Sequence, residues 1–149
     1  MQNFVELLKD HALILAATRS LTGATRTPTA RPEAAFDCLR RLSRLLETHL
    51  RAEAAFIDAD RTHGYQEFDD LAKQHGKRFD DLVAEWGVYL TEWTEENIRH
   101  DWPTFVWATD WMVERLNEQV EAENESLYPA ALRYGLIRLL PEQRRAAAH

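Results

Sequence analysis

Four stretches of this chain carry apolar side chains at alternating three- and four-residue steps, the spacing of one face of an α-helix, and on each stretch that face also holds a histidine or a glutamate. The first face runs Phe4, Leu7, Leu8, His11, Leu15, Thr18, and the second Leu39, Leu42, Leu46, His49, Glu53, Phe56. The third gives Leu71, His75, Phe79, Leu82, Trp86, Tyr89, Trp93, and the fourth Val106, Val113, Leu116, Val120, Glu123, Leu127. No strand-like signal competes with these patterns. A face that is apolar along its length must be buried, so the polar residues set into it are carried into the core as well.

Glycine and proline divide the stretches. Gly23, Gly64 and Gly135 stand where periodicity stops, as expected of helix C-termini. Pro32 and Pro103 stand at helix starts, where a first-turn proline is tolerated, with Asp101 available as a cap. Four helices are predicted, at 3–22, 32–61, 67–99 and 103–134. Gly76 and Gly87 fall inside the third, each at a cost of about 1 kcal/mol against alanine. The segment TGATRTPTARP is the longest connection, and the links at Thr62 to Gln66 and Arg99 to Trp102 are short. Short links between long helices make antiparallel neighbours, so the expected fold is an all-α, up-down-up-down four-helix bundle over residues 1–140. Residues 141–149, which include RRAAAH, form a tail with little reason to order.

A chain of 149 residues can bury a full core without disulfides, and the lone Cys38 can form none internally. A net charge of −7 argues against a nucleic-acid surface, despite the local grouping of Arg40, Arg41, Arg44 and Arg51. No apolar run approaches the ~20 residues that span a bilayer, and the opening MQNFVELLKDH lacks the features of a secretory signal. The expectation is a cytoplasmic protein that binds neither nucleic acid nor membrane.

An ionised carboxylate buried among apolar groups costs several kcal/mol unless it is paired, hydrogen-bonded or bound to a metal. Glu53 and Glu123 therefore call for an explanation they can share with His11, His49 and His75. The spacing His49-x-x-x-Glu53 puts two side chains on one helix face a turn apart. Counted along antiparallel helices at ~1.5 Å per residue, His11, Glu53, His75 and Glu123 all fall roughly 12 to 18 Å from one end of the bundle, with His49 one turn further in. Imidazole and carboxylate donors in one layer suit iron, manganese or zinc, and ligand type alone leaves copper open. A structural zinc site is disfavoured because no cysteine joins the layer.

Nearly the whole chain resembles the hemerythrin HHE cation-binding family. LLKDHALILAATRSL is similar to its opening helix, LLETHLRAEAAFI to its His-x-x-x-Glu helix, LAKQHGKRFDDL to its next ligand helix, and LNEQVEAENESLYPAA to its closing motif. The resemblance implies a non-heme centre of one or two iron ions. It assigns His11 and His49 as terminal ligands of one ion, His75 as ligand of the other, and Glu53 and Glu123 as bridges. Leu127, Tyr128 and Pro129 set the register of the last helix, which places Gln119 at the ligand position where the family has a histidine and where its carbonyl is a weak, neutral oxygen donor. Phe79 stands where oxygen carriers have another. Fewer imidazoles leave more open positions on iron, which favours redox chemistry or sensing over reversible oxygen carriage. The implied partners are a metal ion and a small diatomic ligand such as oxygen or nitric oxide, and the implied role is sensing, binding, or iron handling under oxidative stress.

No Ser-His-Asp or Cys-His constellation suggests a dedicated catalytic residue. Paired Glu-x-x-His motifs, which a ferritin-like oxidase would use, are also missing. Gln119 and Phe79 favour an alternative of another class: a metal-free bundle acting as a regulatory or protein-interaction module. Trp86, Trp93, Trp102, Trp107 and Trp111 are expected as core packing, with any surplus serving a homodimer. Cys38 reads as a small core residue, His63 and His100 as solvated, and Glu118, Glu121 and Glu125 as an exposed face.

Overall fold

The structure, a computed structural model, describes residues 3–54 and 64–140. These are helical, with no strand among them and one isolated bridge between Asn3 and Arg138. The elements are α1 (Phe4–Thr25), α2 (Pro32–Ala54), α3 (Gln66–Glu92), α4 (Glu95–His100), α5 (Trp102–Ala122), a π-helical turn (Glu123–Leu127) and α6 (Tyr128–Arg133). Among the described residues no helix is long and apolar enough to cross a membrane.

Local chemistry accounts for the ends. Asn3 caps α1 by accepting the Glu6 amide at 2.8 Å, and Asp101 caps α5 by accepting that of Thr104 at 3.3 Å ahead of Pro103. Gly64 and Gly135 hold positive φ of 83° and 71°, which suits residues without a Cβ. Gly23 departs from expectation, since it lies inside α1 two residues before its end. The predicted helix at 67–99 is also interrupted. Thr94 accepts the Asn97 amide at 3.1 Å, and the Asn97 side chain donates to the Glu92 carbonyl at 2.6 Å. These bonds stop α3 and start α4 with its own N-cap. The expected extension of α2 from 55 to 61, residues 62 and 63 of the link after it, and the tail at 141–149 lie outside the described residues.

Helix α1 packs along α2 and α5, α3 against α5 and the π-helical turn, and α4 against α2 and α5. The core they enclose falls into two apolar clusters. One contains Ile14, Leu21, Leu42, Leu46, Leu82, Trp86, Phe105 and Leu116; the other contains Leu7, Phe68, Phe79, Leu127, Tyr128 and Ile137. Buried polar residues stand between them in sequence on three helices: His11 between Leu7 and Ile14, His49 just after Leu46, and Glu123 between Leu116 and Leu127.

On α5 the buried face begins one position earlier than the periodicity suggested, at Phe105 and Met112, leaving Val106 and Val113 half-buried. Trp86 and Trp93 are core residues, but Trp107 and Trp111 are not. Trp107 is 71% exposed and Trp111 45%, and with Val88 they line an open apolar groove between α3 and α5. Cys38 is half-buried, His100 is exposed beside Glu96, and Glu118, Glu121 and Glu125 are exposed.

Candidate metal centre

Four of the six residues singled out by sequence converge. His11 comes from α1, His49 and Glu53 from α2 one turn apart, and Glu123 from the first residue of the π-helical turn. All four are at most 3% exposed, and one ligand atom from each lies within 4.8 Å of every other. The Nε2 atoms of His11 and His49 are 3.0 Å apart. Glu123 Oε1 is 2.9 Å from His11 Nε2, and Glu53 Oε1 is 2.7 Å from His49 Nε2.

Both imidazoles are held from behind. His11 Nδ1 donates to Asn124 Oδ1 at 2.6 Å, and His49 Nδ1 faces Asp10 Oδ2 at 3.4 Å. An oxygen acceptor at Nδ1 keeps the proton there and leaves Nε2 with its lone pair, the tautomer a metal-binding histidine adopts. Two such lone pairs 3.0 Å apart repel each other, and two carboxylates pressed against them add to the repulsion. The arrangement is stable only if cations, either protons or a metal ion, lie among these atoms.

Protons would be held tightly there. Burial alone would lower the pKa of His11, but hydrogen bonds to Glu123 and Glu53 outweigh it and push the value up to about 9. His49 follows the same logic to about 10. Burial works against ionisation of Glu53, yet the two imidazoles hold its carboxyl well below the usual range. Glu123 is pushed up by burial and by the neighbouring charge of Glu53. Equivalent as they look in sequence, the two acids differ here: Glu53 is the stronger, and Glu123 the one that gives up charge.

Gln119 and His75 stand apart from the four. The Gln119 amide donates from Nε2 to Glu123 Oε2 at 3.0 Å, which positions that carboxylate from the side away from His11. His75 is buried, its pKa is lowered by burial and by Arg78, and its Nδ1 has no hydrogen-bond partner among the described residues. A buried imidazole nitrogen without a partner is an available donor.

Three side chains of the centre were not singled out as donors or supports. Asp10 and Asn124 precede or follow a predicted ligand by one position, but the helix-face pattern gives no reason to turn them inward. In the sequence Tyr128 serves only as a register marker. Its hydroxyl lies 3.0 Å from His11 Nε2 and 3.2 Å from His49 Nε2, and it makes a short hydrogen bond to Glu53.

Two imidazole nitrogens and two carboxylate oxygens, buried and mutually adjacent, form a donor set that can hold a metal ion. The residues therefore fit a metal on their chemistry, on the tautomer fixed by their outer partners, and on the spare nitrogen of His75. Compared with known proteins, the chain matches no protein-family model, no curated protein and no solved structure.

Proposed function

We propose that the chain is a hemerythrin-like non-heme iron protein that binds or senses a small diatomic ligand such as oxygen or nitric oxide, or handles iron under oxidative stress. The observation that carries the reading is the facing pair of imidazole Nε2 atoms, each anchored through Nδ1, with a buried carboxylate against each. The mixed nitrogen and oxygen donor set favours iron, with manganese and zinc as the nearest competitors. The up-down-up-down four-helix arrangement belongs to the same reading. Its support is that the described helices form four long runs once α5, the π-helical turn and α6 are taken as one.

In this reading His11 and His49 would hold the first iron, Glu53 and Glu123 would be the carboxylates shared with a second, and His75 would be the protein's nitrogen toward that second ion. Gln119 orients Glu123 through its amide nitrogen, which leaves its carbonyl oxygen as a weak, neutral donor toward the second ion. Bound iron would supply an open coordination position and one-electron chemistry. The chain's own part is to exclude water with two apolar clusters, fix both imidazole tautomers, and neutralise the cation with two carboxylates.

A second reading, a metal-free interaction module, draws its support from the exposed apolar groove with Trp107, Trp111 and Val88. Elemental analysis and a visible spectrum of protein purified without chelators separate the two. About one or two iron per chain is expected of a carboxylate-bridged centre. A metal-free protein that also takes up no added ferrous ion would leave only the second reading.

A further inference from the structure

A fifth polar atom, the hydroxyl of Tyr128, stands among the four donor atoms and contacts each of them. Metal bonds to nitrogen and oxygen of about 2.1 Å place neighbouring donor atoms about 3.0 Å apart at right angles and about 3.4 Å apart at the tetrahedral angle. The four-residue set comes close to this spacing where its neighbours meet, at 3.0 Å between the two imidazoles, 2.9 Å between His11 and Glu123 and 2.7 Å between His49 and Glu53. Tyr128 Oη repeats it, at 3.0 Å from His11 Nε2, 3.2 Å from His49 Nε2 and 3.5 Å from Glu123 Oε1, and it also contacts Glu53. A tyrosine serving only as a hydrogen-bond donor to Glu53 needs that one contact and none of the other three.

The backbone is shaped to allow this. Glu123 and Tyr128 are five residues apart, and in an α-helix such residues point about 140° away from each other. The π-helical turn between them, closed by the Tyr128 amide on the Glu123 carbonyl, returns both side chains to one face. The ring is fully buried and stacks on His11 at 5.0 Å between centroids, so the hydroxyl is fixed rather than free to swing out.

We infer that Tyr128 is a metal ligand, and that the first ion sits in a five-donor shell of His11, His49, Glu53, Glu123 and the Tyr128 phenolate. The inference rests on the iron-binding reading above. On binding, the phenolic O–H bond breaks, the proton leaves to solvent, and the oxygen lone pair is donated to the metal, with no change of oxidation state. A phenolate ligand stabilises ferric over ferrous iron, because a hard anionic oxygen favours the more highly charged ion.

The test loads metal-free protein with ferrous ion, oxidises it in air, and records visible absorption and resonance Raman spectra. Expected are a broad phenolate-to-iron charge-transfer band and tyrosinate ring modes that shift when the protein is made with ring-deuterated tyrosine. Tyr128→Phe should lose band and modes while still binding iron, and should surrender that iron to a chelator at least about tenfold faster. Should Tyr128→Phe fail to fold, zinc added to the wild-type protein provides an independent reading through the ultraviolet difference spectrum of tyrosinate. Iron bound without tyrosinate modes, a band unchanged in Tyr128→Phe, or zinc bound without a tyrosinate signal would each overturn the inference and leave iron binding intact. Failure to bind iron or zinc at all would overturn both.

Discussion

At the scale of single residues, the centre depends as much on what stands behind the ligands as on the ligands. His49→Ala and Glu53→Ala each remove a donor and leave its partner buried without compensation. Both are expected to abolish iron binding, and full metal stoichiometry in the two variants would refute the assignment. Asn124→Ala leaves every donor in place but frees His11 Nδ1 from its 2.6 Å acceptor. Loss of such an outer partner typically weakens metal binding about 10- to 100-fold, so competition with a chelator should show a drop of that size with the helical content unchanged. The buried acids and histidines were legible in the sequence because helical spacing alone carries them inward. Asn124 and Asp10 were not, since nothing in a single helix's pattern says that its half-buried edge will meet an imidazole on another.

At the scale of elements, the reading of the last helix succeeded on its start and its buried end but missed what lies between. Pro103 and Asp101 mark the beginning of α5 through backbone rules that act within a few residues, and these are visible in sequence. The π-helical turn at Glu123–Leu127 carries no such signature. Its effect is to carry Glu123, Leu127 and Tyr128 together into the interior, and that arrangement is met by residues of α1 and α3 rather than by neighbours in sequence. The tryptophans divide in the same way. Trp86 and Trp107 both lie on amphipathic helices, yet Trp86 is 6% exposed and Trp107 71%, because the buried face of α5 runs through Phe105, Thr109 and Met112. Trp86→Ala should therefore cost about 3–5 kcal/mol in chemical denaturation. Trp107→Ala should stay within about 0.5 kcal/mol in the monomer. A large loss for Trp107→Ala that depends on protein concentration would show that the groove is covered by another copy of the chain.

At the scale of the whole molecule, one set of groups serves two stability regimes that pH should pull apart. In the metal-free protein His11 and His49 have folded-state pKa values of about 9 and about 10, above the ordinary 6.5. A raised pKa means the folded state holds the proton more tightly than the unfolded chain does. The resulting stabilisation is complete below about 6.5 and is lost as pH rises through about 9 to 10. Metal binding has the opposite dependence, because the same nitrogens must release their protons to take the ion, so affinity rises across this range. A ligand at a thousand times its dissociation constant adds about 4 kcal/mol. For a chain of this size that corresponds to roughly 10 °C in melting temperature. Thermal melts of metal-free and iron- or zinc-loaded protein between pH 6 and pH 9 should therefore diverge, with the metal-free curve falling toward the alkaline side and the gap to the loaded curve widening. Parallel curves would mean that protons and metal do not compete for these imidazoles, and the ion would then have to sit elsewhere in the fold.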